Sequence, residues 1–267
     1  MPSSAIQHLQ KWDVARLRPY AFISGVYILA SWLTRPVNQG DTVDYVSSIE
    51  AHLTGRYYEF WDSGHLLWRP LGWLTFRVSS PVLGRFVGTD QRTQITLLLI
   101  ALSWLAGLAS ALLLLALLRL YTAQRRVPAL VVTAFVFSNA ELNYSRSGAA
   151  DVPGLSLLIL AMYLIGREAT QPRHSVGVQV YAGLALAGSL LLWLPYVLAV
   201  PGAIILPFVS EASGNTRFRL SIGTLFFFCL SAGLAYAAVL IHLRISSAAG
   251  IIAWVLASSH GIMTQGV

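Results

Sequence analysis

Long apolar runs, separated by short polar segments, dominate the chain. A helix needs about 20 mostly apolar residues to cross the hydrocarbon core of a bilayer. Runs that approach this length lie at 20–33, 95–118, 127–138, 153–166, 176–209 and 220–240. The fifth run is too long for one crossing, and Trp193-Leu194-Pro195 in its middle predicts a break, because proline lacks a backbone donor and disfavours helix before it. The pattern predicts an all-α polytopic transmembrane bundle of about seven crossings.

Composition supports a membrane protein. Of the 267 residues, 56% are hydrophobic and 11% charged, whereas soluble domains carry about 25% charged residues. The net charge of +7 comes from basic residues in small groups at the ends of apolar runs. This distribution is typical of topology signals and argues against a nucleic-acid partner. Cys229 is the one cysteine, so no disulfide within the chain is possible.

The basic residues also orient the crossings. With a cytoplasmic N-terminus (1–18), ten Lys and Arg lie on the cytoplasmic side in short loops and eight on the other side, as the positive-inside rule favours. The chain then reads as one domain, 1–267, with extracytoplasmic segments at 36–93, 139–152 and 245–267. The short apolar stretch 251–256 is expected at the membrane interface.

The first extracytoplasmic segment holds six of the eleven acids. Asp41, Asp44 and Tyr45 have the spacing of one helix face, and they predict a short amphipathic helix over 42–53 with Asp41 at its N-cap. Capping alone would explain Asp41. Alternatively, its carboxylate lies just outside the first crossing, where it orients or deprotonates an incoming hydroxyl.

Farther along this segment, aromatic and basic residues are mixed. The run from Trp68 to Val87 carries Arg69, Arg77 and Arg85, too many charges for a crossing, and predicts helices in the membrane interface. Passive anchoring explains most of these residues. His65 and Arg69 are the exceptions, because a lipid-linked phosphate would be met here and arginine suits that ligand.

The second extracytoplasmic segment places Glu141, Arg146 and Asp151 within a short connection. Asp151 precedes Pro153 at a predicted helix start, so a capping role is one interpretation. A role in a shared site with Asp41 is the other, and it requires the two segments to meet.

These motifs together resemble the GT-C superfamily of membrane glycosyltransferases, in particular the protein mannosyltransferase-like and aminoarabinose-transferase-like families. Gly40-Asp41-x-x-Asp44-Tyr45 is similar to the acidic motif after their first crossing. The stretch from Tyr144-Ser145-Arg146 to Asp151-Val152-Pro153-Gly154 is similar to the acid-bearing second loop. The chain is shorter than those enzymes usually are, which predicts a fragment or a minimal member.

The resemblance implies a hexosyl- or pentosyltransferase that takes its sugar from a polyprenyl-phosphate-linked donor on the extracytoplasmic side. The acceptor would be a lipid, glycan or protein, and the location a bacterial inner membrane. The implied catalytic residues are Asp41, Asp44 and Asp151. The implied substrate-binding residues are Tyr45, His65, Arg69, Arg146 and His260. A divalent metal ion is a possible cofactor. A transporter or flippase for lipid-linked sugars, or a non-catalytic membrane subunit, are the alternatives.

Overall fold

The structure is a computed structural model that describes residues 3–35, 40–55, 60–88, 90–124, 126–171, 175–209 and 214–260, with side chains between residues 17 and 257 except that of residue 40. Every regular element in these ranges is helical, so the predicted all-α class is confirmed. The helices are α1 Ser3–Leu33, α2 Gly40–Leu53, α3 Trp68–Val87, α4 Gln91–Tyr121, α5 Val127–Val136, α6 Asn139–Tyr144, α7 Asp151–Ala169, α8 Val176–Leu192, α9 Val200–Ile205, α10 Gly214–His242 and α11 Ala248–His260.

Among the described residues, three helices, α4, α7 and α10, are long and apolar enough to cross a membrane. The first and last of them have mean hydropathies of 2.4 and 2.2 over their most apolar stretch. Crossings at α1, α5, α8 and 194–209 stay predictions. Helix α5 has 10 residues, about 15 Å at the rise of an α-helix, which is about half of the hydrocarbon thickness.

The predicted break in the fifth apolar run is confirmed. Helix α8 ends at Leu192, Trp193 adopts an extended conformation, and a 3-10 segment, Leu194–Ala199, follows with Pro195 in its first turn. Helix α9 and a second 3-10 segment, Leu206–Val209, complete the stretch. Proline therefore ends one regular helix and starts a different, less regular one, as its missing N–H requires.

The core of the bundle is formed by α4, α7, α8 and α10, with α7 packed between α4 and α8. Helix α8 approaches α10 closely at Gly183, where a Cβ atom would lie 2.6 Å from the Cβ of Phe227 and 2.8 Å from the backbone nitrogen of Phe228. Small residues at such a crossing allow close backbone approach in membrane bundles. Ala161, Ala182 and Leu186 are fully buried around it.

Helices α2 and α3 pack against the first half of α4. Tyr45, Val46 and Ile49 of α2 bury one face of that helix, and Trp68, Gly72 and Phe76 bury one face of α3. Leu74, Val78 and Phe86 of α3 are exposed on another face. Such a face is typical of a helix in contact with lipid, although the interfacial placement itself stays a prediction.

The predicted start of α2, at residue 42, was two residues too late. The helix begins at Gly40, so Asp41 lies in its first turn rather than at an N-cap. The carboxylate still interacts favourably with the positive end of the helix dipole. Helix boundaries inferred from pattern alone are uncertain by one or two residues.

Candidate functional site

Residues 60–67, called here the 60–67 loop, lie at the Gln91 end of α4 and are hydrogen-bonded to several later parts of the chain. Leu67 donates its N–H to the carbonyl of Leu191 at 2.9 Å, and Leu194 donates to Gly64 at 3.0 Å. The Tyr236 hydroxyl donates to the carbonyl of Ser63 at 2.9 Å, and the Trp254 indole donates to Trp61 at 2.9 Å. The loop is thus held by α8, α10 and α11, and its conformation depends on all of them.

Asp62 is the polar centre of this loop. The residue is 6% exposed, and one carboxylate oxygen, Oδ2, lies 3.1 Å from Nδ1 of His65 and 3.3 Å from Nη2 of Arg69. The other oxygen accepts the N–H of Gly64 at 2.8 Å. Burial alone would raise the pKa of Asp62, but the His65 hydrogen bond, the Arg69 charge and the Gly64 N–H together lower it below its usual range.

Tyr45 of α2 lies directly beside this network. Its ring meets the His65 imidazole edge-on with 5.2 Å between centroids, and the Arg69 guanidinium lies 5.7 Å from the centre of the same ring. The Tyr45 hydroxyl is buried and has no hydrogen-bond partner among the described residues. Burial, followed by the charges of Asp41 and Asp151, raises the pKa of the phenol.

Asp41 and Asp151 belong to separate helices, but their carboxylates interact with the same neighbouring side chains. Both carboxylates act electrostatically on Tyr45, and they repel one another. Asp151 is also attracted by His65. Ala150 takes the N-cap position of α7 without a side-chain hydrogen bond, and Asp151 lies in the first turn. The interpretation of Asp151 as the helix cap was therefore wrong. Capping therefore accounts for neither acid.

The connection between α6 and α7, called here the 145–150 turn, positions Asp151. The Thr42 hydroxyl donates to the carbonyl of Ser147, and the Trp68 indole donates to Gly148 at 3.1 Å. The Ser103 hydroxyl donates to Ala149 at 2.8 Å. Gly148 has a φ of 79° and packs against the backbone of Ile100, a position that only glycine occupies without strain. Helices α2, α3 and α4 thus hold this turn, which explains how two distant segments meet.

A second polar cluster lies on the other side of the turn. Glu141 of α6 is 2% exposed, and it lies over Gly107, where a Cβ atom would clash with both Glu141 Oε1 and the Tyr27 hydroxyl. Burial raises the pKa of the Glu141 carboxyl to about 7. Helix α6 lies outside the three helices that can cross a membrane, yet its acid is packed opposite the middle of α4.

The structure brings five of the predicted site residues together: Asp41, Tyr45, His65, Arg69 and Asp151. Asp44 is exposed on α2. Arg146 is buried and donates to the hydroxyl of Thr34, directly after α1, so it faces the end of α1 rather than the Asp41–Asp151 pair. The side chain of His260 lies outside the described residues. Arg69 is already paired with Asp62, which leaves less of its charge for a phosphate.

Two functional candidates were missed by reasoning from the sequence. Asp62 lies three residues before His65, a spacing that gave a signal, but the turn that closes the pair depends on α8 and α10. Glu141 looks in sequence like any acid in a connection between helices. Its burial becomes visible only once α6 is packed on α4.

Across the described side chains, no three His, Cys, Asp or Glu residues are grouped as ligands for one ion. The divalent cofactor stays a prediction from the resemblance.

The chain matches no protein-family model, no curated protein and no solved structure.

Proposed function

We propose that this chain is a membrane glycosyltransferase that moves a sugar from a polyprenyl-phosphate-linked donor to a hydroxyl acceptor. The observation that carries the proposal is the convergence of Asp41 and Asp151, from helices far apart in sequence, beside the His65–Asp62–Arg69 network. Capping explains neither acid, and the two carboxylates interact with each other and with Tyr45, which supports a shared site.

In the proposed reaction, Asp41 takes the proton of the acceptor hydroxyl while the oxygen of that hydroxyl attacks the anomeric carbon of the donor sugar. The bond between that carbon and the phosphate breaks, and polyprenyl phosphate leaves with the bonding electrons. Asp41 suits the role of general base because it is exposed in the first turn of α2, where an acceptor can reach it. Asp151 orients the acceptor and favours a positively charged transition state by its charge.

His65 and Arg69 serve the donor in this proposal. Asp62 holds Nδ1 of His65, so a proton on Nδ1 leaves the other ring nitrogen free to meet the substrate. Arg69 lies between Asp62 and the Tyr45 ring, and its positive charge attracts the donor phosphate to this side of the site. The exposed apolar face of α3 would bring the site to the level at which a lipid-linked phosphate lies.

The test is transfer by the purified chain in lipid vesicles, with a panel of radiolabelled polyprenyl-phosphate sugars and a mixed acceptor extract. Asp41→Asn keeps the shape and removes the base, so we expect a loss of at least about 100-fold in rate. Asp44→Asn is the matched variant, with the same chemical change three residues along the same helix, and should have a much smaller effect. Full activity of Asp41→Asn would move the role to Asp44 or Asp151.

The same vesicles separate the alternatives. A transporter would move labelled sugar lipid across the bilayer without forming a new glycosidic bond, and a non-catalytic subunit would do neither. Ion and substrate paths in transporters are normally built from charged groups within the spans. The apolar stretches 95–118 and 220–240 carry no Asp, Glu, Lys or Arg, which favours transfer over transport.

A further inference from the structure

Glu141 is a buried acid that the proposed reaction does not use. It is 2% exposed, and neither of its carboxyl oxygens has a hydrogen-bond partner in the described part of the chain. A buried carboxylate without donors is costly, because it loses hydration and gains nothing in return. The absence of a side chain at Gly107 provides the space in which the carboxyl lies.

The groups beside this carboxyl are arranged as acceptors. The Tyr27 hydroxyl donates a hydrogen bond to the backbone carbonyl of Trp104 at 2.9 Å, and the Ser145 hydroxyl donates to the backbone carbonyl of Glu141 at 2.6 Å. Either hydroxyl would stabilise a carboxylate if it turned its proton toward it, but it would then break a bond to a buried backbone carbonyl. Both oxygens retain lone pairs that can accept a proton from a neutral carboxylic acid.

Among the described residues, no basic side chain pairs with the Glu141 carboxyl, and Arg146 acts on the neighbouring Tyr27 instead. Arg146, the nearest basic residue along the chain, donates to the Thr34 hydroxyl. Helix α5 contains no ionisable side chain, and α4 contributes Gly107 at the contact. Tyr27 and Tyr196 are the ionisable groups that interact with Glu141 from α1 and from the first 3-10 segment. Neither is positively charged in any protonation state.

We propose that Glu141 is a proton-binding site, separate from the Asp41–Asp151 site, and that its carboxyl group is a neutral acid that donates a hydrogen bond to Tyr27 or Ser145. The bound proton joins α6 to α1 and α4 and so helps to hold the 145–150 turn. Loss of the proton leaves a buried negative charge at this junction and weakens it. The proposal does not depend on sugar transfer.

Infrared difference spectroscopy of the purified chain in lipid, titrated from about pH 5 to about pH 9, tests this directly. A neutral carboxylic acid has a C=O stretching band that a carboxylate lacks. We expect one such band to disappear with a midpoint near pH 7, since burial raises the pKa of Glu141 to about 7. Glu141→Gln should abolish that band.

Glu168→Gln is the matched control. Glu168 is buried to nearly the same degree, at 3% exposure, but it accepts the backbone N–H of Ser175, so its substitution should leave the band intact. If Glu141→Gln does not yield folded protein, wild-type chain labelled with ¹³C only in glutamate replaces it. The band must then shift with the label. Absence of a protonated band at neutral pH, an unshifted band or its persistence in Glu141→Gln would each overturn the proposal.

Discussion

Asp62 and Glu141 are buried almost equally, at 6% and 2% exposure, but their surroundings have opposite effects. Asp62 receives an imidazole, a guanidinium and a backbone N–H, and its pKa falls. Among the described residues, Glu141 has only the hydroxyls of Ser145 and Tyr27 beside it, which lower its pKa less than burial raises it, so the pKa rises to about 7. The comparison shows that the donors around a buried acid, more than the extent of its burial, determine which protonation state the fold stabilises.

The strongest test of this comparison removes the charge at Asp62. Asp62→Ala leaves the half-buried Arg69 and His65 without the buried carboxylate that pairs them, and we expect a loss of about 3 kcal/mol in unfolding free energy. Thermal unfolding in detergent, monitored by intrinsic fluorescence, measures it. Asp90→Ala is the control: Asp90 accepts the N–H of Thr93 at the exposed start of α4, so its loss should have a much smaller effect on the unfolding free energy. Equal effects of the two changes would contradict the central role of Asp62.

The second test uses pH. The pKa of Glu141 is higher in the folded chain than its ordinary 4.5, so the folded state binds the proton more tightly. Its contribution to stability is complete below about pH 4.5 and disappears as pH rises through about 7. Glu141→Gln removes this dependence and should be more stable than wild type above pH 7, by about 3 kcal/mol.

The two acids should therefore control opposite flanks of the pH–stability curve. The lowered pKa of Asp62 means that its contribution is present at neutral pH and is lost as pH falls into the acidic range. Asp62→Asn should flatten the acidic flank, and Glu141→Gln the alkaline one. A Glu141→Gln variant with the wild-type alkaline flank would show that Glu141 ionises without cost.

The third test changes the space around Glu141. Gly107→Ala places a methyl group where the Tyr27 hydroxyl and Glu141 Oε1 lie, and we expect a loss of about 1–3 kcal/mol from overpacking. Gly25→Ala, on α1 where a Cβ atom meets nothing within 4 Å, should instead be neutral or gain up to about 1 kcal/mol from helix propensity. Matched unfolding curves of the two variants decide whether the site at Gly107 is tightly packed.

The smallest expected effect concerns two tyrosines. Tyr45→Phe removes a buried hydroxyl with no partner among the described residues, so it should be neutral or stabilise the chain by about 1 kcal/mol. Tyr27→Phe removes a hydroxyl that donates to Trp104 and should cost about 1 kcal/mol. Unfolding free energies of both variants in parallel measure the difference. Destabilisation by Tyr45→Phe would reveal a partner for that hydroxyl.

The sequence allowed the helical class, α4 and the break at Trp193 to be predicted, because apolar runs and proline act locally. It also indicated Asp41 and Asp151 as acids of interest. The first-turn positions of both acids were not predicted, since helix starts depend on local packing. The partners of Asp62 and the burial of Glu141 depend on contacts between residues distant in sequence, which no local pattern encodes.

The bonds that hold the 60–67 loop also determine the order in which the protein can be completed. Trp61 and Trp254, joined by one of these bonds, are 193 positions apart. At about 5–20 residues per second, the ribosome needs roughly 10–40 s to synthesise the intervening chain. During that time the loop, with Asp62, His65 and Arg69 at or beside it, does not yet have all of its partners from α8, α10 and α11. The hydrogen bonds that hold the polar site are therefore completed only after the later helices have been synthesised.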